Sequence, residues 1–368
     1  MFNLFKKKKS EPNKGEQYLS LKIREIVKET PDTVSIFFEQ PEPYLDYKPG
    51  QFLTVILEIE GKEVRRSYSL CTSPFVDPFP GISVKRVTGG LVSNYLNDQL
   101  RPGKTIEIMK PLGNFTTSFH SQNKIQYFMV AGGSGITPIM GLTKSVLVNE
   151  PNSKVTLLYC SRSEDQIIFH EQLKTLKEKY GEQLEIIHNL SKPEAGWSGM
   201  SGRLDSSKLK EVLSWSDDKE LTDKKYFVCG PEGLMNTILN TLESLGIAKD
   251  LIHEESFYSD LDAKEAAKKA SGEMAPALTR EVTVQVEGQE YSFEVAPEKT
   301  ILEAGLDNHV DMPYSCQSGL CTACRGRLIA GKVDMIEDAG LSEGEIADGY
   351  ILCCSSKPAS SDVKIIIE

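Results

Sequence analysis

Five of the eight cysteines in this 368-residue chain stand near its end, three in CQSGLCTAC (Cys316, Cys321, Cys324) and two in ILCCSS (Cys353, Cys354). The first three follow a C-x4-C-x2-C spacing, and 29 residues separate Cys324 from Cys354. Close cysteines in a chain without an export signal point to metal or redox chemistry rather than disulfides. Structural zinc usually takes two C-x2-C pairs, which a spacing of four and then two fits poorly. A two-iron, two-sulfide cluster suits the pattern better. Each iron wants tetrahedral sulfur, and one loop wrapped over the cluster can supply three of the four thiolates. Ser315, Ser318, Gly319 and Ala323 are small enough to let the backbone approach and turn N–H groups toward sulfur, which tunes such a centre. The fourth thiolate is Cys353 or Cys354. Neighbours on a strand face opposite ways, so only one of them reaches the cluster.

A second chemical signal is VAGGSGITPIMGL, Val130 to Leu142. It ends a strand in a glycine-rich turn and starts a helix at Pro138, an arrangement that admits a pyrophosphate against backbone N–H groups. It lacks the G-x-G-x-x-G pattern with a ribose-binding acid about twenty residues on.

These groups need elements to hold them. To about Phe119 the chain reads as short strands (SIFFEQP, FLTVILEI, RSYSL, GISVKRV, TIEIMK) cut by proline and glycine turns, with one helix, LVSNYLNDQL. That pattern predicts a closed antiparallel barrel. From about Lys124 to Phe257, strands alternate with helices: QYFMVAG then a helix from Pro138, KVTLLYC then IIFHEQLKTLKEKY, LEIIHNL then a loop and helix, KYFVCG then GLMNTILNTLESLG. Alternation of this kind predicts a doubly wound parallel sheet with ligands at the carboxyl ends of its strands. Residues 258–280 are polar and rich in Ala and Lys, as a linker is. The last segment opens with a hairpin, TVQV-EGQE-YSFEV, and a short helix, TILEAGLDNHV, before the cysteine loop. The expected divisions are a basic tail at 1–16, a barrel at 17–120, a nucleotide domain at 121–257, the linker at 258–280 and a cluster domain at 281–368.

Net charge is −11, and residues 281–368 hold 16 acidic against 6 basic residues. Such a field excludes nucleic acid as a partner. It describes either a soluble acidic domain or an acidic docking face for a basic partner. The longest apolar run carries four glycines and a proline, so no transmembrane segment is expected. MFNLFKKKKS places charge after apolar residues, the reverse of a signal peptide, and reads as a solubilising tail or a membrane-surface patch. A cytoplasmic location follows from these readings.

PYSCQSGLCTACRGRLIAGKV…LSEGEIADGYILCCSSKP resembles the cluster half of a plant-type [2Fe–2S] ferredoxin domain, a β-grasp fold. The family's I-L-x-C-x-x-x-P pattern, laid on Pro358, implies Cys354 as the ligand beside Cys316, Cys321 and Cys324, and leaves Cys353 as packing. RRSYSL resembles the R-x-Y-S motif of the ferredoxin–NADP reductase superfamily. That resemblance implies FAD, with Arg66 at the pyrophosphate, Ser67 and Tyr68 along the isoalloxazine ring, and Ser69 near flavin N5. KRVTGGLVSNYL is similar to the second element of that superfamily, and brings Lys85, Gly90, Val92 and Ser93 to FAD. RPGKTIEIMKPLGNF is similar to its closing strand and P-x-G-x-F loop.

GGSGITP is similar to the family's nicotinamide loop. It implies contacts from Gly132, Gly133, Ser134, Gly135, Ile136, Thr137 and Pro138, with Thr137 between nicotinamide and flavin. FVCGPEGLM resembles the C-G-P motif and implies Cys229 beside nicotinamide C4, with Gly230 and Pro231 next to it. IHEESF resembles the family's ending and implies Glu255 near the nicotinamide and Phe257 by the flavin, with Glu254 as the competing acid. Ser161 and Arg162, at a strand end with no acid directly at the tip, favour NADPH, while Glu164 and Asp165 leave NADH open. His170 and His188 read as surface or packing residues, and His253 has no assigned role.

The order FAD barrel, NAD(P) domain, linker, ferredoxin is similar to that of phenylacetyl-CoA oxygenase and ketosteroid hydroxylase reductases. The resemblance implies an oxidoreductase in which a hydride, two electrons at once, is split for a one-electron cluster by FAD. An oxygenase or other electron-accepting protein docking at the acidic ferredoxin domain is the expected partner. The alternatives are a general donor to a desaturase or another redox partner, and a redox-sensing binding protein.

Overall fold

A computed structural model describes residues 17–215, 223–257, 278–336 and 340–367. The expected tail at 1–16 and most of the expected linker lie outside the described residues.

The first unit is built from β1 (Tyr18–Thr30), β2 (Thr33–Phe38), β3 (Phe52–Ile59), β4 (Lys62–Ser69), β5 (Gly81–Lys85), helix α1 (Leu91–Gln99) and β6 (Thr105–Leu112). The strands run antiparallel in the order β4-β3-β6-β1-β2-β5. A bridge between Leu70 and Ile82 joins the two ends, with the Cys71 N–H donating to the Gly81 carbonyl at 2.9 Å. Inward residues such as Leu21, Ile23, Ile36, Leu53, Val55, Ile82 and Ile108 are fully shielded and form one core. The long β1 is absent from the strands expected from sequence. Its register shifts between Ile23 and Glu25, which interrupts the period-two pattern halfway along.

The second unit contains β7 (Ile125–Gly132), α2 (Ile136–Asn149), β8 (Lys154–Ser161), α3 (His170–Tyr180), β9 (Leu184–Leu190), β10 (Met200–Ser201), α4 (Ser206–Trp215), β11 (Asp223–Gly230), α5 (Glu232–Ser244) and β12 (Ile252–Ser256). Its sheet is parallel throughout, in the order β10-β9-β8-β7-β11-β12. Buried on both faces, β7 has every residue shielded, as a central parallel strand requires. Two helix starts differ from expectation. α2 begins at Ile136 rather than Pro138, because proline needs no donor in a first turn and is tolerated inside it. α3 begins at His170: Ile167, Ile168 and Phe169 are buried outside the helix, and Phe169 turns the chain at φ 63°.

The third unit comprises β13 (Arg280–Val286), β14 (Gln289–Val295), α6 (Ile301–Asp307), β15 (Arg325–Ala330), β16 (Val333–Met335), α7 (Glu343–Ala347), β17 (Tyr350–Leu352), β18 (Ser356–Pro358) and β19 (Val363–Ile367). Its mixed sheet runs β14-β13-β19-β15-β17, with β13 and β19 parallel, and α6 packs across it in a β-grasp arrangement. Thr300 caps α6 with a reciprocal Glu303 contact, the capping box its sequence spells. One expectation about the cysteines changes. β17 stops at Leu352, so Cys353 and Cys354 lie in the turn after it, and strand alternation does not separate them.

Candidate functional site

A cleft of about 180 Å³ opens between the barrel and the parallel-sheet unit. All ten residues expected to hold the flavin line it: Arg66, Ser67, Tyr68 and Ser69 from β4, Lys85 from β5, Gly90, Val92 and Ser93 at the start of α1, then Thr137 and Phe257 from the second unit. Ser83, Val87, Leu91 and Ser134 also line it; Val87 and Leu91 fall inside KRVTGGLVSNYL and Ser134 inside GGSGITP without an expected flavin contact, and Ser83 lies just before the first of these motifs. Ser83 follows β5 alternation and hydrogen-bonds Ser35 at 2.7 Å, a pairing visible only once β2 and β5 are adjacent. No side chain caps α1, so its first-turn N–H groups stay available to an anion.

Ser69, expected near flavin N5, and Cys229 and Glu255, expected near the nicotinamide, meet at the junction of the units. The β11–β12 register places Cys229 opposite Glu255. From the barrel, the Ser69 hydroxyl donates to Glu255 Oε2 at 3.1 Å. Desolvation pushes the Glu255 carboxyl up to about 8. Burial, with the Glu255 charge adding to it, raises the Cys229 thiol well above its ordinary value. Glu254 is exposed, and His253 stacks on Phe227 with ring centroids 4.4 Å apart, so neither joins this group.

The glycine loop and the C-G-P turn are interlocked. A Cβ on Gly135 would stand 2.2 Å from the Cys229 carbonyl oxygen, and one on Gly132 would stand 2.8 Å from Pro231 Cδ. Both glycines are therefore fixed by packing before any ligand is considered. Gly133, Ser134 and Ile136 continue this loop, and Thr137 Oγ1 donates to the Ser134 carbonyl at 3.0 Å. Ser161 is buried and Arg162 exposed at the end of β8, beside Gly132 through the Cys160 register. The Ser163 hydroxyl holds Asp165 at 2.5 Å and keeps its carboxyl below the ordinary range. His170 on α3 and His188 on β9 face each other with centroids 6.2 Å apart, and burial lowers His188 to about 4.

In the third unit four thiols converge. Cys321 and Cys316 sulfurs lie 3.2 Å apart. The Gly319 N–H donates to Cys354 Sγ at 3.2 Å, and the Cys354 N–H points at Cys324 Sγ at 3.5 Å. Hydrogen bonds from the Cys321 and Cys354 thiols hold Cys316 far below the ordinary thiol range, and Cys354 rises in return. Cys353 is fully buried, its backbone N–H donates to the Cys324 carbonyl at 3.1 Å, and desolvation raises its thiol, with the Cys324 charge adding to it. A Cβ on Gly340 would stand 2.8 Å from the Cys321 nitrogen, so backbone closes over the loop. Four thiols with inward N–H donors are the donor set of a two-iron cluster. This loop also touches the barrel: the Ser67 hydroxyl donates to Ser315 Oγ at 2.9 Å.

Residues 20–117 match the oxidoreductase FAD-binding domain family, 129–240 the oxidoreductase NAD-binding domain family, and 284–359 the 2Fe-2S iron-sulfur cluster binding domain family. Over 350 residues the chain is 32% identical to a component of the 1,2-phenylacetyl-CoA epoxidase of Escherichia coli, covering 94% of this chain and 96% of that one. It is 34% identical over 358 residues to the ferredoxin reductase component of 3-ketosteroid-9-alpha-monooxygenase from Rhodococcus rhodochrous, covering 95% and 97%. The crystal structure of phthalate dioxygenase reductase shares the fold at a TM-score of 0.57 and 24% identity, over 95% of this chain and 98% of that one. No helix among the described residues is long and apolar enough to cross a membrane.

Proposed function

The chain belongs to the family of FAD-, NAD- and [2Fe–2S]-containing reductase components of multicomponent oxygenases, and from that premise we propose that it passes electrons from NADPH through FAD and the cluster to an oxygenase. The observation that carries this reading is the position of β4. Its Arg66–Ser69 stretch lines the flavin cleft, while Ser67 touches the loop that carries Cys316.

FAD held in this cleft would supply the conversion of a two-electron hydride into single electrons. Everything else falls to side chains. Arg66, Lys85 and the open N-terminus of α1 gather positive charge for a pyrophosphate. Tyr68 offers a flat face to the isoalloxazine ring, with Ser67, Val92, Ser93 and Phe257 bounding it. The loop Gly132–Pro138 and the turn Cys229–Pro231 form the nicotinamide floor, and Thr137 stands at the edge shared with the flavin. At neutral pH a carboxyl titrating near 8 is mostly protonated. Glu255 therefore holds its proton beside Ser69 and adds no negative charge where hydride leaves and arrives. Cys229, kept as a thiol, is likewise neutral. Cys316, Cys321, Cys324 and Cys354 would hold the cluster, and Cys353 packs in the hydrophobic core of that unit.

Ser161 and Arg162 support NADPH over NADH, since Asp165 is occupied by Ser163. Arg162→Ala is expected to raise the KM for NADPH about tenfold, the worth of a charge-assisted contact, and to leave that for NADH unchanged. Equal effects on both would reverse the assignment. The functional units are 17–120, 121–257 and 281–368, with a tail at 1–16 and a linker at 258–280, working in the cytoplasm where all eight unpaired thiols stay reduced. The excess acid of residues 281–368 is the face offered to the acceptor.

The test is sustained NADPH-dependent reduction of cytochrome c by the purified holoprotein, followed by reconstitution with an oxygenase purified from the same cells. Turnover with product formation supports the reading. Turnover without any oxygenase coupling would favour a general donor, and reduction that stops after one equivalent would leave a redox sensor.

A further inference from the structure

Arg65 belongs to none of the cofactor motifs, yet it is only 8% exposed. It neighbours Arg66 on β4, where successive side chains take opposite faces. Its guanidinium lies 3.9 Å from the centroid of the Tyr314 ring, its Nε donates to Glu63 at 2.8 Å, and its Nη1 reaches the Tyr18 hydroxyl at 3.3 Å. Tyr18 in turn donates to Asp311 Oδ1 at 2.7 Å, and Tyr314 donates to Glu63 at 3.4 Å. Tyr18, Glu63 and Arg65 come from the barrel. Asp311 and Tyr314 belong to the segment leading directly into Ser315 and Cys316. A second contact flanks the first, where Asn114 of the barrel and Arg325 of the cluster unit share Glu345 at 2.6 and 2.7 Å.

Resting on the function proposed above, we propose that Arg65, with Tyr18 and Glu63, is a positioning residue: the three form a cradle that docks the Asp311–Tyr314 segment and so holds the Cys316 loop against the back of the flavin-binding strand. The step it governs is the transfer of one electron from reduced flavin to oxidised cluster, with no bond made or broken. A cation stacked on an aromatic face and shielded from water is a directional contact, and it fixes orientation as well as proximity.

The test uses the full-length holoprotein and three variants: Tyr314→Leu, Asp311→Asn and Arg65→Lys. Hydrogen exchange across residues 311–318 reads the dock without any turnover, and stopped-flow spectroscopy separates flavin reduction from cluster reduction. Tyr314→Leu is expected to speed exchange in that segment and to slow cluster reduction about tenfold while flavin reduction keeps its rate. Arg65→Lys, which keeps the charge but loses the planar stack, is expected to fall between. Asp311→Asn weakens the Tyr18 contact without opening a cavity and carries the test if Tyr314→Leu yields no holoprotein. Wild-type exchange and cluster reduction in the variants would overturn the proposal, as would equal slowing of both steps. A wild-type cluster that NADPH never reduces would overturn the functional reading and the dock together.

Discussion

The barrel has two partners and meets them differently. Toward the nucleotide unit the junction resembles a core. Helix α2 packs so closely that a Cβ on Gly141 would stand 2.8 Å from the Thr72 carbonyl oxygen. Phe115 and Phe227 meet edge to face at 5.4 Å, Ser145 and Ser73 hydroxyls bond at 2.8 Å, and a shielded Lys144–Asp77 pair spans 3.1 Å. Toward the cluster unit the described contacts are polar: Ser67–Ser315, Tyr18–Asp311, Arg65–Tyr314 and Asn114–Glu345. The first is built like an obligate interface and the second like a transient one. Their chemistry explains the contrast. Hydride transfer needs two rings in contact and tolerates little play. A single electron crosses a gap, so the cluster unit needs only to be held near.

The hardest way to separate the two junctions is to empty one of them. Cys354→Ser is expected to lose the cluster's visible absorbance and to bring cytochrome c reduction to background, while Cys353→Ser keeps both. Equal loss in the two variants would return the fourth ligand to an open choice. Gly141→Leu attacks the firm junction instead. Overpacking at that contact should cost about 3 kcal/mol and lower FAD retention, measured by thermal unfolding and flavin content. If the protein keeps its stability, the junction is looser than its geometry.

A subtler probe is pH. The carboxyl of Glu255 titrates at about 8 in the folded chain against 4.5 ordinarily. The folded state thus holds a proton that the unfolded state gives up. Its contribution is fully present below 4.5 and is lost as pH rises through about 8. Glu255→Gln should therefore flatten the fall in melting temperature across that window, and a parallel fall in both proteins would assign the slope elsewhere. The smallest effect belongs to Lys144→Met, at about 1 kcal/mol, because Asp77 keeps the Ser73 N–H at 2.7 Å. A loss several times larger would show that the pair carries the junction.

What sequence discloses follows the same division. Glycine loops, R-x-Y-S and the cysteine spacing are local, and each maps onto one cleft or loop in the structure. β1 escaped because its bulge breaks the alternation and its charges, from Lys22 to Glu29, hide Leu19, Leu21 and Ile23. Ile167–Phe169 continued an apolar pattern without being helical, since tertiary burial can shield residues that no helix contains. Arg65 was overlooked for a different reason. It stands outside the R-x-Y-S residues, and its partner Tyr314 is distant in the chain. Contacts between units leave no local pattern, and only the folded chain displays them.

The polar dock has a consequence in mass action. Because donor and recipient belong to one chain, the cluster unit meets the barrel at an effective concentration on the order of millimolar. A handful of polar contacts is then enough to keep the docked form in the majority. An acceptor that used the same face of the cluster unit would compete, from bulk solution at far lower concentration, with a tethered neighbour. It can win only if the neighbour's grip is slight. With the dock proposed above, a tighter Arg65–Tyr314 stack would speed the filling of the cluster and slow its emptying to such an acceptor.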